Sequence, residues 1–65
     1  MDTFEVGDRV EFALTLTGMP RGVILADDPD RPELVRDARR HGLVRVLWSD
    51  GMDDYYPPAV LRRAL

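Results

Sequence analysis

The sequence predicts a mainly β domain, a small five-stranded antiparallel barrel with a short helical insertion and one helical turn before the last strand. Three observations carry this prediction. Apolar and polar residues alternate strictly from Arg9 to Thr17, the period of a half-buried strand. A second alternating stretch, Leu43 to Trp48, runs into the turn Ser49-Asp50-Gly51. Between them the period changes to that of a helix. Sixty-five residues allow one domain, read as 1–65 with 27–42 as the insertion.

Each element follows from local chemistry. Gly7-Asp8 is a turn pair after Phe4 and Val6. In the first strand Val10, Phe12, Leu14 and Leu16 point one way and Arg9, Glu11, Ala13, Thr15 and Thr17 the other. Gly18-Met19-Pro20-Arg21-Gly22 reads as a turn, and Val23 to Ala26 as a short apolar strand completing a hairpin. Asp27-Asp28-Pro29-Asp30 stops it.

The insertion predicts a helix of two to three turns in preference to an extended arm. Asp30 and Glu33 have capping-box spacing, Pro32 suits the first turn, and Gly42 suits the stop. Leu34, Val35, Ala38 and His41 share one face, with Asp37 placed to meet Arg40 and His41. In the third strand Val44, Val46 and Trp48 face one side and Leu43, Arg45 and Leu47 the other. Asp50-Gly51 suits a type I′ hairpin. Met52 to Tyr56 is the fourth strand, which Pro57-Pro58 ends. Pro58 to Leu61 suits one helical turn, and Leu61 to Leu65 a fifth short strand. Closing such a sheet hides edges that a small open sheet would expose.

Composition excludes several classes. The chain is 45% hydrophobic and 32% charged, ordinary for a globular domain. No apolar run reaches bilayer length, and the start lacks the pattern of a signal peptide, so a cytoplasmic protein with no membrane role is expected. Without cysteine there is neither a disulfide nor a thiolate metal site. Nine arginines against twelve acids give a net charge of −3, which argues against a dedicated nucleic-acid binder. The absence of lysine, asparagine and glutamine fits a GC-rich genome, such as that of an actinobacterium or its phage.

The segments Val6-Gly7-Asp8-Arg9-Val10, Gly22-Val23-Ile24, Val44 to Gly51 and Tyr56 to Leu61 together resemble the SH3-like barrels of the Tudor and KOW groups. They are also similar to short actinobacterial domains of unknown function. The resemblance spans nearly the whole chain outside 27–42 and implies an SH3-like five-stranded antiparallel barrel. Barrels of that type bind peptides, methylated side chains, nucleic acids or other subunits, so the resemblance alone selects no ligand.

Catalytic chemistry has little to work with. Ser49 lies in a turn, and His41 at a helix end where a cation suits the dipole. The acids Asp27, Asp28, Asp30 and Asp50, Asp53, Asp54 lack calcium-loop spacing and read as solvated turn residues. No enzyme activity, metal or cofactor is expected. Trp48 with Tyr55 or Tyr56, beside Asp50 and Asp53, has the ingredients of an aromatic cage such as Tudor-like barrels use. The same rings serve equally to fill a small core, the preferred reading. Alternation puts Tyr55 and Tyr56 on opposite faces, so one should be exposed.

The expected function is therefore a non-catalytic adaptor that binds another protein or a second copy of itself. Its expected contact residues are Trp48, Asp50, Tyr55 and Tyr56 at the hairpin and Arg36, Arg39 and Arg40 on the insertion. Alanine at Tyr56 or Arg40 should then leave the fold intact. Two alternatives remain. One is a nucleic-acid module in which Arg36, Arg39, Arg40, Arg45, Arg62, Arg63 and Arg21 cluster on one face. The other is a phage-encoded inhibitor of a host protein.

Overall fold

A computed structural model describes residues 4–14 and 20–64. Five strands form a single antiparallel sheet: β1 (Arg9–Phe12), β2 (Gly22–Leu25), β3 (Val44–Trp48), β4 (Asp53–Tyr56) and β5 (Leu61–Arg63). Their order across the sheet is β4-β3-β2-β1-β5. The helix α1 (Pro32–Arg40) lies between β2 and β3, and a 3₁₀ turn (Pro58–Val60) precedes β5. The mainly β architecture, the helical insertion and the final turn all stand where the sequence puts them. The sheet is not closed, because β4 and β5 remain its two edges.

One face of the sheet holds the core. Val10, Ile24, Val46, Trp48 and Leu61 are buried there, with Phe4, Phe12, Val44 and Tyr56 packed against them. Alternation in β3 places Val44, Val46 and Trp48 inward, as their spacing predicts. Gly22 lies opposite Trp48 in the ladder, and a Cβ there would stand 2.5 Å from Val46 and 2.8 Å from Trp48. Glycine is thus a packing requirement of β2, which begins at Gly22 and not at Val23.

The first strand is shorter than its alternation predicts. It ends at Phe12, opposite Leu61, and Ala13 N–H donates to the Val60 carbonyl at 2.8 Å before the chain bends. The reason is the partner: β5 is preceded directly by the 3₁₀ turn, so the ladder runs out of strand. Leu14, expected to face inward, is 90% exposed. Thr15, Leu16, Thr17, Gly18 and Met19 lie outside the described residues.

The helix starts differently from its predicted capping box. Arg31 is the N-cap and makes no side-chain cap bond, while the Asp28 carboxylate accepts from Asp30 N–H at 2.9 Å. Pro32 in the first turn removes one of the donors a cap would have satisfied. The stop at Gly42 is as expected: its φ is +68°, its N–H reaches the Arg39 carbonyl, and Leu43 N–H reaches Ala38. These two bonds form a Schellman motif. The buried face is narrower than the spacing suggests, with Ala38 buried, Val35 half-buried, and Leu34 and His41 exposed. His41 folds back so that its Nδ1 lies 3.0 Å from the Asp37 carbonyl oxygen. Arg40 makes no ion pair among the described residues, so the expected Asp37–Arg40 pair does not form.

The β3–β4 hairpin turns at Ser49-Asp50-Gly51, but not as type I′. Gly51 N–H donates to the Trp48 carbonyl at 3.0 Å, and Gly51 alone of the three takes positive φ, at +90°. This is a type I turn closed by a left-handed glycine, the three-residue hairpin solution. The Asp50 carboxylate accepts from Met52 N–H, which holds aspartate in its ordinary backbone region.

Candidate interaction surface

The two faces of the sheet divide the expected contact residues. Trp48 is 5% exposed and stacks on Phe12 with ring centroids 4.5 Å apart. Its Nε1–H donates to the Tyr56 hydroxyl at 3.1 Å, and the Tyr56 ring meets both Phe12 and Trp48 edge-on. Trp48 and Tyr56 are thus packed in the core, and their rings are not arranged as an open cage. Tyr55 points the other way, as alternation requires, but it is half-buried where an exposed tyrosine is expected. Its hydroxyl receives Asp28 N–H at 3.3 Å and donates to the Asp27 carboxylate at 3.4 Å. The insertion folds over it.

Around Tyr55 the outer face carries a charged network. The Arg45 side chain, 20% exposed, places Nε and Nη2 at 2.9 and 2.8 Å from the Asp53 carboxylate. Its Nη1 donates to the Ala26 carbonyl, and its Nη2 lies 4.0 Å from Asp28. The hydrogen bond that Arg45 donates to Asp53 holds the Arg45 pKa above the ordinary arginine value, against the opposing effect of partial burial. Arg39 reaches Asp27 at 2.9 Å and Arg31 reaches Asp28 at 3.4 Å. Asp27, Asp28 and Asp53 thus serve arginines, and Asp28, Asp50 and Asp54 accept from backbone amides. Among the described residues no three such groups converge as a metal site.

The basic face that the nucleic-acid alternative requires is mostly neutralised. Arg39 and Arg45 are paired as above, Arg62 lies 3.5 Å from Glu11, and Arg63 lies 3.6 Å from Asp8. Arg36 and Arg40 stay exposed on α1 and make no ion pair among the described residues. Asp50 is exposed at the hairpin tip beside Met52, which is 67% exposed. The structure therefore does not bring the seven expected contact residues to one place.

A different site assembles on the outer face. Register sets Arg9 opposite Val23, Val23 opposite Leu47, and Leu47 opposite Asp53, while Ala64 N–H bonds the Arg9 carbonyl. Side chains from four strands thus form one row across the sheet. Along its β1–β3 part runs an open groove of about 350 Å³ lined by Arg9, Arg21, Val23, Leu47, Ser49 and Ala64, with Gly22 and the nearly buried Trp48 also at its wall. Ser49 N–H donates to the Arg21 carbonyl at 2.9 Å, which ties the hairpin base to the start of β2. A second groove of about 380 Å³ lies beyond the end of β1, lined by Phe12, Ala13, Leu14, Ala59 and Val60. Its described lining residues are all apolar.

Arg9, Val23 and Leu47, which line this groove, are not among the expected contact residues. A signal was present: Val23-Ile24-Leu25 is apolar on both faces, and Leu47 breaks the polar side of β3. In a sheet with one core face, such residues must surface on the other. Comparison of the chain with family models, curated proteins and solved structures returns no match. Among the described residues no helix is long and apolar enough to cross a membrane.

Proposed function

We propose that this chain is a cytoplasmic, non-catalytic binding module that works through protein–protein contact, built as a small SH3-like barrel left open between β4 and β5. The observation that carries the reading is the outer-face groove, where Val23 and Leu47 stay accessible beside Arg9 and Arg21. Leu47 is 36% exposed on a strand whose other apolar side chains turn inward or are half-covered. Accessible apolar side chains ringed by arginine are the composition of a contact surface. The strand order and the 3₁₀ turn before β5 support the SH3-like reading. The nucleic-acid alternative draws less support, because carboxylates neutralise Arg39, Arg45, Arg62 and Arg63.

A photo-crosslinking amino acid at Leu47, at Leu14 or at Glu33 tests the reading in the full chain. One discrete protein adduct is expected from position 47 and not from position 33, and an adduct of twice the chain mass identifies a second copy as partner. An adduct from position 14 alone would move the surface to the second groove. Equal, diffuse labelling at all three positions would refute a dedicated surface.

A further inference from the structure

Of the arginines that make no ion pair among the described residues, Arg36 and Arg40 stand on α1, away from the groove, and Arg9 and Arg21 stand together at its lining. Arg31, Arg39, Arg45, Arg62 and Arg63 each lie within 4.0 Å of a carboxylate. Arg9 and Arg21, both exposed and both lining the groove, make no ion pair among the described residues. The acids that could neutralise them are turned elsewhere. Asp53, at the end of the same row, is held by Arg45 at 2.8 Å. Glu11, two residues along β1 from Arg9, reaches toward Arg62. Asp50 accepts from Met52 N–H, and Asp8 from Glu5 N–H. A protein of net charge −3 thus presents a positive, apolar-floored groove.

Register sets Arg9 directly across from Val23, and the groove lining brings Arg21, just before β2 and two residues from Val23, to the same apolar floor. Leu47 flanks Val23 on the far side. A side chain seated on Val23 and Leu47 would therefore share the groove with both arginines. Arginine's planar fork matches carboxylates in paired hydrogen bonds.

Resting on the binding-module reading, we propose that the groove accepts an acidic peptide segment of a partner protein, one that seats a leucine-sized side chain on Val23 and Leu47 and offers carboxylates to Arg9 and Arg21. A protein segment fits better than single-stranded nucleic acid. The groove offers no exposed aromatic ring for a base to stack on, since Trp48 is almost fully buried.

The test uses the full chain and a short fluorescein-labelled peptide alternating aspartate and leucine, followed by anisotropy at low and moderate salt. Saturable binding is expected, weakened about tenfold or more by Arg9→Glu with Arg21→Glu and weakened likewise by salt. The charge-reversed protein should in turn prefer a peptide alternating arginine and leucine. Arg9→Gln with Arg21→Gln serves as the milder pair, circular dichroism verifies folding, and Arg36→Glu should change nothing. Absence of binding, or equal affinity for the two peptides, overturns the proposal. If Leu47→Ser abolishes binding while both arginine pairs leave it unchanged, the binding-module reading stands and the acidic partner falls. If Leu47→Ser also has no effect, both fall. Tighter binding to a short duplex DNA, lost on charge reversal, would name nucleic acid as the occupant and overturn the proposal.

Discussion

Phe12 and Tyr56 meet edge to face with ring centroids 5.6 Å apart, although their strands stand three steps apart in the sheet order. In a flat sheet three steps would separate them by roughly 14 Å. The sheet must coil for these rings to touch, and Trp48 fills the concavity, stacked on Phe12 and bonded to Tyr56. Three aromatic rings thus hold the curvature that brings β4 toward β1.

The first prediction concerns that hydroxyl. Tyr56→Phe keeps the ring but leaves the buried Trp48 Nε1–H without its acceptor, so it should cost about 1–2 kcal/mol. Tyr56→Ala also removes ring packing and should cost about 2–4 kcal/mol, instead of being neutral as a surface contact would be. Urea denaturation followed by tryptophan fluorescence measures both. An unchanged midpoint for Tyr56→Phe would mean that the bond does not form in solution.

Gly22→Ala should be among the most damaging small substitutions in the chain. The new methyl would meet Val46 and Trp48 at distances that Cβ atoms do not adopt. Overpacking of this kind costs about 1–3 kcal/mol, and here both neighbours are themselves buried. Thermal melts of the variant should fall well below those of Ala59→Gly, a change at an exposed residue of the 3₁₀ turn. A melt equal to that of the parent would contradict the close approach of β2 and β3.

Two arginine pairs should behave differently. Arg39 is 74% exposed where it meets Asp27, and Arg39→Ala should cost about 0.2–1 kcal/mol. Arg45 is more enclosed and joins Asp53, Asp28 and the Ala26 carbonyl, so Arg45→Ala should destabilise more than Arg39→Ala. The raised pKa of Arg45 gives the sign of its pH dependence: its charged-state contribution is complete below the ordinary arginine pKa and lost only at higher pH. Titration of this group therefore leaves stability flat through the neutral range. Double-mutant cycles with Asp53→Asn and Asp27→Asn measure the two couplings, and a larger coupling at Arg39 would reverse the ranking.

The sequence made β3 legible because its buried partners all lie on one side, so alternation and burial coincide at Val44, Val46 and Trp48. The end of β1 was not legible in the same way. Alternation continues through Thr17, but the ladder stops at Phe12 because the partner strand stops. The Asp-Gly pair announced a turn, while its type depended on the backbone of Asp50, which Met52 N–H helps fix. The groove was the least visible feature. Its row joins Arg9, Val23 and Leu47, distant in sequence and brought together only by register. Alternation separates Tyr55 from Tyr56 without saying which of them is core, and the cover over Tyr55 comes from Asp27 and Asp28, which no pattern within β4 records.

Leu47 and Val46 are adjacent in β3 and should separate stability from recognition. Val46 is fully buried, and Val46→Ala should cost about 1–3 kcal/mol by leaving a cavity under Trp48. Leu47 faces the groove, so Leu47→Ser should stay within about 0.5 kcal/mol of the parent. In a binding assay the order should invert: Leu47→Ser loses the partner while folded, and Val46→Ala keeps it at temperatures where it remains native. Circular dichroism melts beside crosslinking from the groove separate the two effects. A Leu47→Ser protein that melts early would show this side chain to be part of the packing, and the outer face would then carry no surface reserved for contact.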